Sequence, residues 1–171
     1  MHDRRKIVVI GPPASGKTRI GKRLAARLGT EFIDSDAVIV SRYGAIPDLF
    51  ATHGEAFFRQ KEREVVHEVL ESHGVIALGG GAVINEDTRS ELLEMTVIGL
   101  TIDAVAVESR INNSQRPLIT SLETWKALVE QRRELYDLVS DVTLDTSNRS
   151  TPSVVDEIVE WLDTNMEEAT R

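Results

Sequence analysis

The chain has 171 residues, carries 28 acidic against 20 basic side chains for a net charge of −8, and contains no cysteine. That length favours one domain with a real core. The acidic balance argues against broad nucleic-acid binding, and the lack of cysteine excludes disulfides and cysteine metal sites and fits a reducing cytoplasm.

The start, MHDRRK, is basic, but only the apolar run IVVI (Ile7 to Ile10) follows it, too short for a signal-peptide core. No run approaches the roughly 18 apolar residues of a membrane span. A cytoplasmic protein with no membrane partner is therefore expected. Ile7 to Ile10 has the character of a buried parallel strand. GPPASGKT, Gly11 to Thr18, comes directly after it, and Ile20, Leu24 and Leu28 then recur at the spacing of one helix face. EFI (Glu31 to Ile33) is a short strand candidate, and DSD (Asp34 to Asp36) follows it. Phe58, Val65, Val66, Val69 and Leu70 mark a helix. GVIAL (Gly74 to Leu78) is a clearer strand, and it runs into GGG (Gly79 to Gly81). Leu92 and Leu93 mark another helix, and TVIGLTI (Thr96 to Ile102) another strand. The polar stretch NNSQRPLITS has no period and reads as a loop that contains Arg116. Trp125, Leu128, Leu135 and Val139 mark a helix, DVTL (Asp141 to Leu144) a strand, and Val154, Val155, Ile158, Val159 and Leu162 a closing helix. Alternating strands and helices predict an α/β fold, an open parallel sheet with helices on both faces. In such sheets ligands sit at the carboxyl ends of the strands. GPPASGKT, DSD and GGG all begin where a strand ends, so all three are expected on one edge.

GPPASGKT matches the G-x-x-x-x-G-K-[ST] pattern of a phosphate-binding loop. Small residues let the backbone curl so that N–H groups meet phosphate oxygens, and the helix that starts near Lys17 adds its positive end. Lys17 would reach the β- and γ-phosphates, and the Thr18 hydroxyl would hold Mg²⁺. Asp34 and Asp36 precede a helical stretch, so either can be an N-cap. Alternatively one faces the metal while the other orients an acceptor hydroxyl and takes its proton. The GGG run is either a turn or a place where backbone approaches a ligand closely. Arg132 falls seven residues after Trp125 and four after Leu128, and Arg59 falls seven before Val66. Both therefore sit on apolar stripes, where an arginine needs a partner. Each is a snorkelling surface arginine or an internal ion pair, or else a cleft arginine that meets an anion, most naturally a carboxylate held by both guanidinium nitrogens. Arg116 is an ordinary loop residue or part of a loop that closes over a nucleotide.

Together these segments resemble the shikimate kinase family over nearly the whole chain, from about Lys6 to Leu162. The elements stand in family order: GPPASGKT, DSD, FATHGEAFFR, GGG, RPL at Arg116 to Leu118, R-x-x-L-Y ending at Tyr136, and DTSNR. The resemblance implies a three-layer α/β sandwich with a five-stranded parallel sheet of the nucleoside-monophosphate-kinase type, in one domain over 1–171. It implies a lid loop at about 112–122 and a flexible tail over 163–171. It implies that the loop residues Gly11, Ala14, Ser15, Gly16, Lys17 and Thr18 hold ATP, that Arg149 lies beside the adenine, and that Thr18 and Asp34 serve Mg²⁺. It further implies that Asp36, Arg59, Arg132 and Gly79, Gly80 and Gly81 bind shikimate, Asp36 as base or orienter. Lys17, Asp36 and Arg116 would be catalytic, Arg116 meeting the transferring phosphate from the lid. The family often has Pro where Glu134 stands, and Arg133 is the neighbour that could exchange roles with Arg132.

The reaction so implied is transfer of the ATP γ-phosphoryl to the 3-hydroxyl of shikimate, by a monomer that binds no nucleic acid. A gluconate kinase on the same fold is the nearest rival, and a nucleotide-dependent switch is another. No N-K-x-D guanine-reading motif supports a GTPase.

Overall fold

The computed structural model describes residues 3–111 and 121–168. Arg116 and nearly all of the expected lid lie outside the described residues. Within them the apolar runs become the strands β1 (Asp3–Ile10), β2 (Phe32–Asp34), β3 (Gly74–Ala77), β4 (Met95–Thr101) and β5 (Val142–Asp145). They form one five-stranded sheet in the order β2-β3-β1-β4-β5, and every pairing is parallel. Ile7, Val8 and Val9 pair with β3 on one side and β4 on the other, so β1 is central. That position requires apolar residues on both faces, as IVVI supplies.

Side chains alternate along a strand, and the alternation divides the core in two. Val8, Ile10, Ile76 and Val97 face one layer of helices: α2 (Ser35–Tyr43), α4 (Glu55–Leu70) and α7 (Leu122–Val139). Ile7, Val9, Val75, Ile98 and Leu100 face the other layer, α1 (Lys17–Leu28) and α8 (Thr151–Glu168). The three-layer α/β expectation therefore holds. A small third cluster, Ala14, Ile102, Ala106, Val107 and Trp125, joins the phosphate loop to α6 (Ala104–Ile111) and α7.

Several local expectations need correction. Strand β2 begins at Phe32 rather than Glu31, so Asp34 closes the strand and Ser35 already starts a helix. Asp36 does not precede α2 but lies in its first turn, and Asp34 is the cap. The short helices α3 (Ile46–His53) and α5 (Glu86–Leu92) flank this half of the sheet. Neither α3 nor α6 shows a legible period, because each makes only about two turns. Leu28 is 39% exposed in the last turn of α1, and Leu93, beyond the end of α5, is 54% exposed. Leu24 and Leu92, expected on the same faces, are fully buried. Helix α8 continues to Glu168. Among the described residues no helix is long and apolar enough to cross a membrane.

Candidate active site

The three segments expected on one edge do meet there. GPPASGKT follows β1, Asp34 ends β2, and Gly79–Gly81 follow β3. The phosphate loop separates two cavities. One, about 720 Å³, is lined by Ala14, Ser15, Gly16, Thr18, Arg110 and Arg149 among others. The second, about 510 Å³, is lined by Lys17, Thr18, Asp34, Asp36, Arg59, Glu62, Gly79–Gly81 and Arg132. Thr18 belongs to both walls.

The Thr18 hydroxyl donates to Asp34 Oδ2 at 2.6 Å, while Asp34 Oδ1 accepts from Ala37 N–H as the cap of α2. Asp34 is thus the N-cap of α2, and its second carboxylate oxygen meets the Thr18 hydroxyl. Lys17 starts α1 and is half-buried; its Nζ donates to Pro12 O at 3.0 Å. Gly11 is buried at the foot of the loop, against β4.

The glycine run packs closely against neighbouring protein groups. A methyl on Gly79 would collide with the Asp36 carboxylate, and one on Gly81 with the Arg59 guanidinium. Gly80 abuts Pro13 and the Gly11 carbonyl, so the run packs directly on the phosphate loop. Two side chains hold it there. Ser35 Oγ accepts from Gly79 N–H at 3.0 Å, and Tyr136 O–H donates to Gly80 O at 2.6 Å. Burial raises the Tyr136 pKa above its ordinary value despite the neighbouring Arg132 and Arg59 charges, which keeps it a donor.

Arg59 and Arg132 reach the second cavity from α4 and α7. Arg59 has an internal partner as well. Its Nη1 donates to Glu62 Oε1 at 2.6 Å, and Glu55 Oε1 lies 3.5 Å from its Nε, which makes no hydrogen bond among the described residues. Arg59 therefore has the internal ion pair with Glu62 and also lines the cavity. Glu62 is only 4% exposed. Burial raises its pKa above the usual carboxylate range, and the Asp36 charge raises it further; the Arg59 charge and hydrogen bond, and the Arg132 charge, only partly offset this. Arg132 is half-buried in the wall, whereas Arg133 points away, is exposed, and pairs with Glu130 at 3.2 Å.

In the first cavity Arg149 is braced by Glu157 at 2.7 Å and by Ser153. Arg110 was not legible from the sequence, since nothing in its spacing marks it; its guanidinium donates to Ala14 O at 2.6 Å and Thr146 O at 3.2 Å. Glu62 was also missed, although its place three residues after Arg59 is the spacing of a helical ion pair. A pair of arginines, a buried carboxyl and a second carboxylate around one cavity suit a small hydroxylated acid. A loop of N–H donors beside it suits a phosphate.

The fold and the site define a phosphate-loop kinase that acts on a small molecule. A profile of the family described as Shikimate kinase matches residues 13–163. The chain is 40% identical to the shikimate kinase of Thermobifida fusca, over 93% of this chain and 95% of that one. It is 43% identical to that of Mycobacterium ulcerans, over 92% and 89%. Among solved structures, shikimate kinase from Acinetobacter baumannii in complex with shikimate superposes with a TM-score of 0.88 at 30% identity, covering 96% of each chain. The chain belongs to the shikimate kinase family. A gluconokinase from Sinorhizobium meliloti, at 19% identity and a TM-score of 0.68, shares the fold.

Proposed function

We propose that the protein transfers the γ-phosphoryl of ATP to the 3-hydroxyl of shikimate, giving shikimate 3-phosphate and ADP. The observation that carries this reading is the shared wall: Thr18 borders both cavities and Lys17 faces the second, so a phosphate held on the loop lies beside the acceptor cavity. The 3-hydroxyl as acceptor rests on the family likeness. ATP occupies the cavity beside α8, with its phosphates on Gly11 to Thr18 and its base toward Arg149. Shikimate occupies the cavity beside α4. Its carboxylate meets Arg59 and Arg132, and its hydroxyls meet Asp36 and the Gly79–Gly81 backbone.

The Thr18 hydroxyl and the Asp34 carboxylate place hard oxygen donors together at the loop, which fits Mg²⁺. Bound there, Mg²⁺ would neutralise charge on the β- and γ-phosphates. Asp36 orients the acceptor hydroxyl and takes its proton. Lys17 exchanges the Pro12 carbonyl for the phosphate oxygens. Phosphoryl transfer passes through a loose transition state, so these residues act by positioning and charge. Arg116 is assigned to the transferring phosphate by the family likeness alone, since it lies outside the described residues. ADP release, followed by a coupled assay, should require shikimate. Equal release with gluconate, or with no acceptor, would overturn the reading.

Two variants test the acid-binding wall. Arg132→Lys should raise the Michaelis constant for shikimate, because Lys cannot make the paired planar contact. Arg132→Ala should cost on the order of 2–5 kcal/mol, roughly tenfold to several thousandfold in affinity. ATP affinity should hardly change in either, and Arg133→Ala should be close to silent. Calorimetric titration of each ligand checks this; a loss in Arg133→Ala without one in Arg132→Ala would reverse the assignment. Gly81→Ala tests the close approach. Its methyl must displace the Arg59 guanidinium, and overpacking of this kind should raise the shikimate Michaelis constant by about tenfold. An unchanged constant would show that Arg59 does not depend on this gap.

A further inference from the structure

Each carbonyl from Pro12 to Gly16 in the phosphate loop accepts a hydrogen bond. Pro12 O is held by Ser15 and Lys17, and Gly16 O by Ile20 N–H. The three between them are held by side chains from three different places in the fold. Trp125 Nε1–H donates to Pro13 O at 2.8 Å, Arg110 Nη1 to Ala14 O at 2.6 Å, and Thr146 Oγ1 to Ser15 O at 2.9 Å.

In a trans peptide the C=O and the following N–H point in opposite directions. The donor that holds Pro13 O therefore also sets where Ala14 N–H points. Ala14 has φ 70°, the left-handed region, which a residue with a Cβ enters only at a cost. Turning over the Pro13–Ala14 peptide would relieve that cost and would aim a carbonyl where an N–H donor now stands. Trp125 opposes the turn. The residue is 3% exposed, packs in the same small cluster as Ala14, and lines neither cavity.

We propose that Trp125 is a positioning residue for the phosphate loop: by holding the Pro13 carbonyl, its indole N–H aims the Ala14 N–H at the bound phosphate. The inference rests on the reading of Gly11 to Thr18 as the ATP phosphate site.

The test is calorimetric titration of ADP, pyrophosphate and shikimate into the wild type, Trp125→Phe and Trp161→Phe. Phe keeps an aromatic ring in the cluster and removes the donor. One neutral hydrogen bond corresponds to about a fivefold change, so ADP and pyrophosphate should both weaken by about that factor in Trp125→Phe. Shikimate affinity should stay as in the wild type. Trp161, the other indole, packs with the core beneath α8, and its replacement should leave all three ligands unaffected. If the wild type does not bind ADP, the phosphate-site reading itself fails. If the wild type binds ADP and Trp125→Phe binds it equally well, only the role of Trp125 is overturned. Equal weakening of shikimate would also overturn it, as a general loosening of the fold. Should Trp125→Phe not fold, benzothienylalanine at position 125 keeps the two-ring shape with sulfur in place of the N–H, and the same outcomes apply.

Discussion

Lys17→Met is expected to leave a folded protein with almost no turnover. Lys17 is the first residue of α1, half-buried, and its Nζ rests on the Pro12 carbonyl. Met has similar length and helix propensity, so α1 should persist. Pro12 O keeps its bonds from Ser15 when the ammonium is gone. What disappears is the positive charge that would meet the β- and γ-phosphates. Loss of one preorganised donor alone costs about 10²–10³ in turnover, and a full charge in a water-excluded cleft should cost at least that. Steady-state turnover together with a thermal melt checks this. A melt like the wild type with unaltered turnover would remove the phosphate-loop assignment.

Asp36→Asn should lower turnover by roughly 10² to 10⁴, the span typical of a general base. Asn retains the shape of the side chain and part of its hydrogen bonding. Helix α2 should not suffer, because its cap is Asp34 and not Asp36. The charge of Asp36 is one cause of the raised Glu62 pKa. Its removal should therefore move any inflection that Glu62 sets in shikimate binding toward lower pH. Single-turnover phosphoryl transfer is the deciding measurement. A rate equal to that of the wild type would reduce Asp36 to a binding group.

Much of this was readable before any coordinates. The phosphate loop is contiguous in the chain, and its chemistry lies in its own backbone and in Lys17 and Thr18, so local spacing was enough. Arg59 and Arg132 were legible because a charge on an apolar stripe violates the pattern around it. The alternation of strands and helices predicted the parallel sheet, since a strand buried on both faces must read as a continuous apolar run. The reading was weakest where elements are short. Helices α3 and α6 lack the length to show a period, and β2 differs by one residue from its expected start because a three-residue strand has almost no pattern of its own.

What sequence could not decide is how groups distant in the chain share one task. Asp34 is both a helix cap and the partner of Thr18, because parallel pairing brings the end of β2 level with β3 while the phosphate loop leaves the adjacent β1. The Glu62 pKa is raised because the fold buries it and brings Asp36 near, against the opposing charges of Arg59 and Arg132. Trp125 reads as an ordinary core residue on the stripe of α7, and so it is; yet its N–H ends on a carbonyl 112 positions earlier in the chain. Periodicity reports which face of an element is buried. It carries no information about which backbone atom waits on the other side, because that is set by how the layers pack and not by any residue's own neighbours.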